Sequence, residues 1–144
     1  MQPLSTTTIT RSFQWGIVIV SDPEGEIPDV DPDAATTAAS GALVALVRHE
    51  ADVPSFDDDF ELAMVEITVR LLAEEAALGD RRALFDGALD TPAGTLSVGD
   101  ANDEVLVSTH HGRTRVVVSV PGDWPMDDHH HESLQIDLVP VTAS

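Results

Sequence analysis

The stretch from Glu61 to Leu72, E-L-A-M-V-E-I-T-V-R-L-L, limits what this chain can fold into more than any other. Ala63, Val65, Ile67, Val69 and Leu71 occupy alternate positions, with Glu66, Thr68 and Arg70 between them. A period of two is that of a strand with one face in a core and the other in water. The β-branched side chains at Val65, Ile67 and Val69 favour the same pleated backbone. Good helix formers follow in L-L-A-E-E-A-A-L, but the alternation selects the strand.

The rest of the chain repeats this signal in shorter pieces. Thr6 to Val20 contains a strong strand, with Phe13, Trp15, Ile17 and Ile19 on one face and Gln14, Gly16, Val18 and Val20 on the other. Both faces turn apolar after Gly16, as in a strand covered on both sides. Trp15 reads as a core or rim anchor, with ligand stacking as the alternative. Gly41 to Glu50 reads as a second strand, with His49 at its polar end. Ala83 to Leu89, Thr95 to Gly99, Glu104 to Thr109, Arg113 to Val120 and Leu134 to Leu138 complete the set. His110-His111-Gly112 is placed as a hairpin connection. Glu74 to Arg82 is a polar connection with room for one helical turn. Seven or eight short strands spaced by turn signals predict an all-β fold, an antiparallel β-sandwich with long acidic loops and at most one short helix. With 144 residues, of which 42% are hydrophobic, the chain has the size and apolar content of one domain with its own core. Residues 1–11 are expected as a flexible or edge segment and 142–144 as a tail.

Charge is the extreme feature. Twenty-six acidic residues face seven arginines, there is no lysine, and the formal charge is −19. Such a surface repels nucleic acid and anionic membranes and attracts basic partners. High-salt adaptation or coding bias produces the same composition, so an acidic sandwich with no dedicated site stays open. The absence of Cys removes thiol nucleophiles, thiolate metal sites and disulfides. The N-terminus has neither a basic start nor an apolar run, and the run Ile17 to Val20 is far too short to span a bilayer. The expectation is a cytoplasmic protein.

Ser21 to Ala39 holds three prolines, a glycine and six acidic residues, a long loop with room for a short helix from Asp33. Asp29, Asp31 and Asp33 have the first spacing of a calcium loop. Ala34 then stands where the sharp-turn glycine belongs, and Ser40 where the bidentate glutamate belongs, so an EF-hand is excluded. Asp57, Asp58 and Asp59 form a second acidic cluster, and the loop P-G-D-W-P-M-D-D-H-H-H-E supplies Trp124, Asp127 and Asp128. On an extended backbone His129 and His131 share a face, and with His110 and His111 on a neighbouring turn they form a candidate site for a divalent metal. No fixed-spacing metal motif, nucleophile elbow or phosphate-cradling glycine loop is present. An enzyme is not expected, and neither is a cofactor beyond that possible metal.

The order of segments resembles the competence protein J family. The resemblance lies in Q-W-G-I-V-I-V, the Pro-rich acidic loop, T-A-A-S-G-A-L-V-A-L-V, T-P-A-G-T-L-S-V and the ending T-R-V-V-V-S-V-P-G-D-W-P-M-D-D-H-H-H-E-S-L-Q-I-D-L-V-P-V. It runs from about Ser12 to Val141 in pattern and spacing. That family comprises small β-sandwich proteins and includes an inhibitor of a competence-linked DNA nuclease. The resemblance implies an inhibitor or immunity-type partner of a basic enzyme, and it transfers no site residue. The charge argument adds the acidic loops at Asp29, Asp31 and Asp33, at Asp57 to Asp59, and at Asp127 and Asp128 as the contact surface. Trp124 and Met126 are apolar anchors, or Trp124 is a residue that pins its loop onto the sheet.

Overall fold

Alternation at Val65, Ile67 and Val69 does what period two requires: all three side chains are buried, while Glu66 is exposed. The computed structural model describes residues 3–13, 15–48, 64–100 and 103–141, so Asp57, Asp58, Asp59 and His49 lie outside the described residues. Ten strands are present among these: β1 (Ser5–Ser12), β2 (Ile17–Ser21), β3 (Thr36–Ala38), β4 (Ala42–Leu46), β5 (Met64–Leu71), β6 (Arg81–Thr91), β7 (Thr95–Gly99), β8 (Glu104–Ser108), β9 (Gly112–Pro121) and β10 (Ser133–Pro140). They form two five-stranded sheets, ordered β1-β5-β10-β9-β6 and β3-β4-β2-β7-β8. The pairing is antiparallel throughout except between β5 and β10, which run parallel. No described residue is helical, and among the described residues no helix is long and apolar enough to cross a membrane.

One hydrophobic cluster joins the sheets. Ile67, Leu134, Ile136, Val116 and Val118 of the first meet Val18, Val20, Leu43, Leu96 and Val98 of the second. Each such side chain, fully withdrawn from water, stabilises the fold by about 1.5–3 kcal/mol before chain entropy is set against it. This burial favours the sandwich over any single layer.

Three expectations are corrected. Thr6 to Val20 is two strands in different sheets, because the chain turns between Phe13 and Gly16. There the Gly16 amide reaches the Phe13 carbonyl at 3.0 Å, and Gly16 takes φ 68°, a conformation open to glycine. The turn separates the two faces: Phe13, Val18 and Val20 are buried and Trp15 is 60% exposed, so Trp15 lies at the rim and is not a core residue. Likewise His110-His111-Gly112 is not a hairpin, since β8 and β9 belong to different sheets. The crossing is held by the His110 carbonyl, which accepts from the hydroxyls of Thr91 at 2.7 Å and Thr114 at 3.1 Å. Where a helix was given room after Asp33, the chain enters the short strand β3.

The registers sort the connections into two ends. At the upper end lie the 13–16 turn, the 122–132 loop and the starts of β5 and β6. The 92–94 and 109–111 connections lie at the lower end. Between β5 and β6 the 72–80 segment crosses the outer face of the first sheet as a strap, over Asp137 and Val139.

Candidate functional site

Among the described residues, three pieces of chain bound the candidate site at the upper end. The first is the tight turn that lifts Trp15 into solvent. The second is the loop before β3, where the Asp31 carboxylate accepts from the Asp33 amide at 2.9 Å and the Asp31 amide donates to the Thr37 hydroxyl at 3.2 Å. These contacts hold Asp31 and Asp33 outward, with Asp29 exposed two residues before. The third is the 122–132 loop. Here Trp124 lies half-buried against the core, its indole N–H donating to the Asp128 carbonyl at 2.9 Å, and the Asp128 carboxylate accepts from the His130 amide at 2.9 Å. Trp124 therefore pins its loop to the sheet, leaving Met126 78% exposed at the tip and Asp127 exposed beside it.

His131 anchors this loop from below. It is only 1% exposed, lies against Trp124 with ring centroids 5.6 Å apart and under His129 at 6.3 Å. Its Nδ1 is 3.1 Å from the Leu46 carbonyl on the other sheet. A carbonyl only accepts, so Nδ1 carries the proton, and the buried Nε2 has no hydrogen-bond partner among the described residues. Burial pushes the His131 pKa below its ordinary value, with the His129 and Arg82 charges acting the same way, against the Leu46 hydrogen bond and Asp128.

Between the Trp15 turn and the 127–130 loop runs an open groove of about 350 Å³ lined by Trp15, Pro32, Leu46, Asp127, His129 and His130. The groove joins two of the acidic loops read from the sequence, those of Asp31 and Asp127. Trp15 reads from the sequence as a core or rim anchor with ligand stacking as the alternative, and Pro32 is not singled out there. The signal available for them was a Trp-Gly pair interrupting an apolar run, which marks a turn that exposes the aromatic ring.

The four candidate metal-ligating histidines do not converge. His110 and His111 precede β9 and His129 and His131 precede β10, and these strands are antiparallel, so the pairs sit at opposite ends. The ten residues of β9 between them span about 30 Å. The His110 Nε2 is engaged with the Leu72 carbonyl at 3.0 Å, and His111 packs over Gly94, where a Cβ would come within 2.7 Å of its ring. Among the described residues no three His, Asp or Glu side chains are grouped as metal ligands.

Fold and site together define a class: an all-β two-sheet sandwich with exposed Trp15 and Met126 and the carboxylates of Asp31, Asp33 and Asp127 on loops at one end. No family model matches the chain, and no curated protein matches it. Among solved structures it is similar to ComJ, inhibitor of the DNA degrading activity of NucA, from Bacillus subtilis, with a TM-score of 0.64 at 16% identity over 94% of this chain and 96% of that one. It is also similar to a protein described as crocagin biosynthetic gene J, with a TM-score of 0.52 at 12% identity over the same shares. The likeness is one of fold.

Proposed function

We propose that this chain is an acidic protein-binding module that inhibits a basic nuclease by covering its DNA cleft. The observation that carries the reading is the fold shared over 94% of the chain with a protein described as a nuclease inhibitor. The electrostatics support it. A nuclease attracts DNA with a basic cleft, and carboxylates presented on rigid loops occupy such a cleft where phosphates would lie. Asp31, Asp33 and Asp127 flank the exposed Trp15 and Met126 at one end, which gives a charged rim around apolar contacts. This role calls for no catalytic group and no cofactor.

The test is capture of partners from a lysate of the source organism at low and moderate salt, followed by DNA-degradation assays on the purified pair. A basic nuclease retained one-to-one and silenced on mixing is the expected result. If every retained protein keeps its full activity in the mixture, the inhibitor reading fails and the charge serves solvation.

A further inference from the structure

We infer that the groove between the Trp15 turn and the 127–130 loop receives a single arginine side chain, and, resting on the reading above, that this arginine belongs to the basic partner. The groove combines two kinds of wall. Trp15, Pro32, Leu46 and Val47 offer apolar surface, while Asp127 offers a carboxylate beside the imidazoles of His129 and His130. No arginine lines it, and the Arg48 that follows Val47 is already engaged by Glu132 at 2.8 Å. At about 350 Å³ the space is at the small end of ligand pockets, suited to one long side chain.

Arginine matches both walls in one residue. Its methylenes lie along apolar surface, its planar guanidinium stacks on an indole, and its fork of N–H donors pairs with a carboxylate in two parallel bonds. A lysine ammonium satisfies the charge but neither stacks as a plane nor binds in a fork. An aliphatic side chain leaves Asp127 without a counter-charge. The turn that exposes Trp15 has a positive-φ glycine at its end, and the opposite wall is braced by the stack of His129 on His131. The backbone turn that presents Trp15 and the stacked imidazole wall thus need no rebuilding on binding, which reduces the ordering cost.

The experiment is a titration of the 15N-labelled protein with hexa-arginine and with hexa-lysine at moderate salt, following the two indole N–H resonances. The Trp15 signal is expected to move and saturate. The Trp124 signal, whose N–H is held by the Asp128 carbonyl, is expected to stay. Hexa-arginine should bind about 5-fold tighter than hexa-lysine. Trp15→Ala and Asp127→Asn should each weaken it by about 10-fold, with Trp15→Phe retaining most of the affinity. Glu24→Gln, remote in the loop leaving β2, should change it by less than about 2-fold. A stationary Trp15 resonance, equal affinity for both peptides, or indifference to Trp15→Ala overturns the inference. No nuclease is present, so failure here leaves the inhibition assay standing. Peptide binding that succeeds while no nuclease is silenced keeps the groove and discards the inhibitor reading.

Discussion

The Nδ1 of His131, on the loop that enters the first sheet, donates to the carbonyl of Leu46 at the end of β4 in the second sheet. One buried ring thus fastens the two sheets at the end that carries the candidate site. Its geometry sets a pH response. Protonating Nε2 would create an N–H with no acceptor in a site 1% exposed, so the folded-state pKa is lowered. The unfolded chain, titrating near the ordinary value of about 6.5, then takes up the proton first. The stability contributed by neutral His131 is complete above that pH and is lost as pH falls from it towards the lowered folded value. His131→Asn keeps an amide N–H for Leu46 but has no imidazole. Melting followed from pH 8 to 5 should show a lower melting temperature for this variant and a shallower decline with acid. Parallel curves for the two proteins would exclude His131 as the titrating group.

On the outer face of the first sheet, Arg70 and Asp137 meet in two parallel hydrogen bonds of 2.7 and 2.8 Å. Asp137 is buried under the 72–80 strap, and Arg70 keeps a quarter of its side chain in water. The hydrogen bonds to Asp137 raise the Arg70 pKa, partly opposed by desolvation. Removing one partner strands the other charge, so Asp137→Ala should cost about 2 kcal/mol, discounted from the figure for a wholly buried pair because Arg70 is partly solvated. The paired change Arg70→Met with Asp137→Leu should recover most of that loss. Urea denaturation of the parent protein and the two variants decides it. A double variant as weak as Asp137→Ala would mean that the ion pair itself, and not the relief of an unpaired charge, holds the strap.

These two contacts also mark where sequence reasoning stops. Local alternation was legible, so Val65, Ile67 and Val69 were assigned to a core face and are buried, and the strand read over Leu134 to Leu138 likewise buries Leu134, Ile136 and Leu138. What alternation does not encode is which sheet a strand joins. Phe13, Trp15, Ile17 and Ile19 keep perfect parity, yet the turn at Gly16 lies in their midst, and its evidence is a backbone dihedral. His110-His111-Gly112 has the length of a hairpin loop, yet β8 pairs with β7 in one sheet and β9 with β6 and β10 in the other. The Thr91 and Thr114 hydroxyls tie the His110 carbonyl to the first sheet. For the same reason the histidine pairs were grouped by residue type, while the register of β9 on β10 holds them apart. The groove was invisible because its walls come from positions 15, 32, 46 and 127–130, brought together only by tertiary packing.

The strap and the 122–132 loop touch at one point with no space to spare. A Cβ on Gly122 would lie 2.0 Å from the Asp80 carbonyl oxygen, and a backbone atom does not yield as the end of a side chain does. Gly122→Ala should therefore destabilise by about 3 kcal/mol, at the upper end for overpacking. Gly79, one residue before Asp80, has φ 62° and open space around its Cα. Gly79→Ala should cost only the left-handed strain, about 1 kcal/mol. Chemical denaturation of both variants tests the comparison, and equal losses would mean that the Asp80–Gly122 approach relaxes freely.

The two kinds of group at the upper end should act on different steps of association with a basic partner. Asp31, Asp33 and Asp127 project into solvent, so their field reaches an approaching cation before contact. Neutralising all three to Asn should slow association by about 10-fold at low salt and flatten its salt dependence, with little change in dissociation. Met126 and Trp15 have no net charge to steer with and act only once surfaces touch. Met126→Ala and Trp15→Ala should leave association nearly unchanged and speed dissociation by about 10-fold each. Stopped-flow mixing with the captured nuclease separates the steps. If the triple Asn variant associates as fast as the parent protein at low salt, steering by this end is ruled out and the −19 charge acts only as a diffuse field.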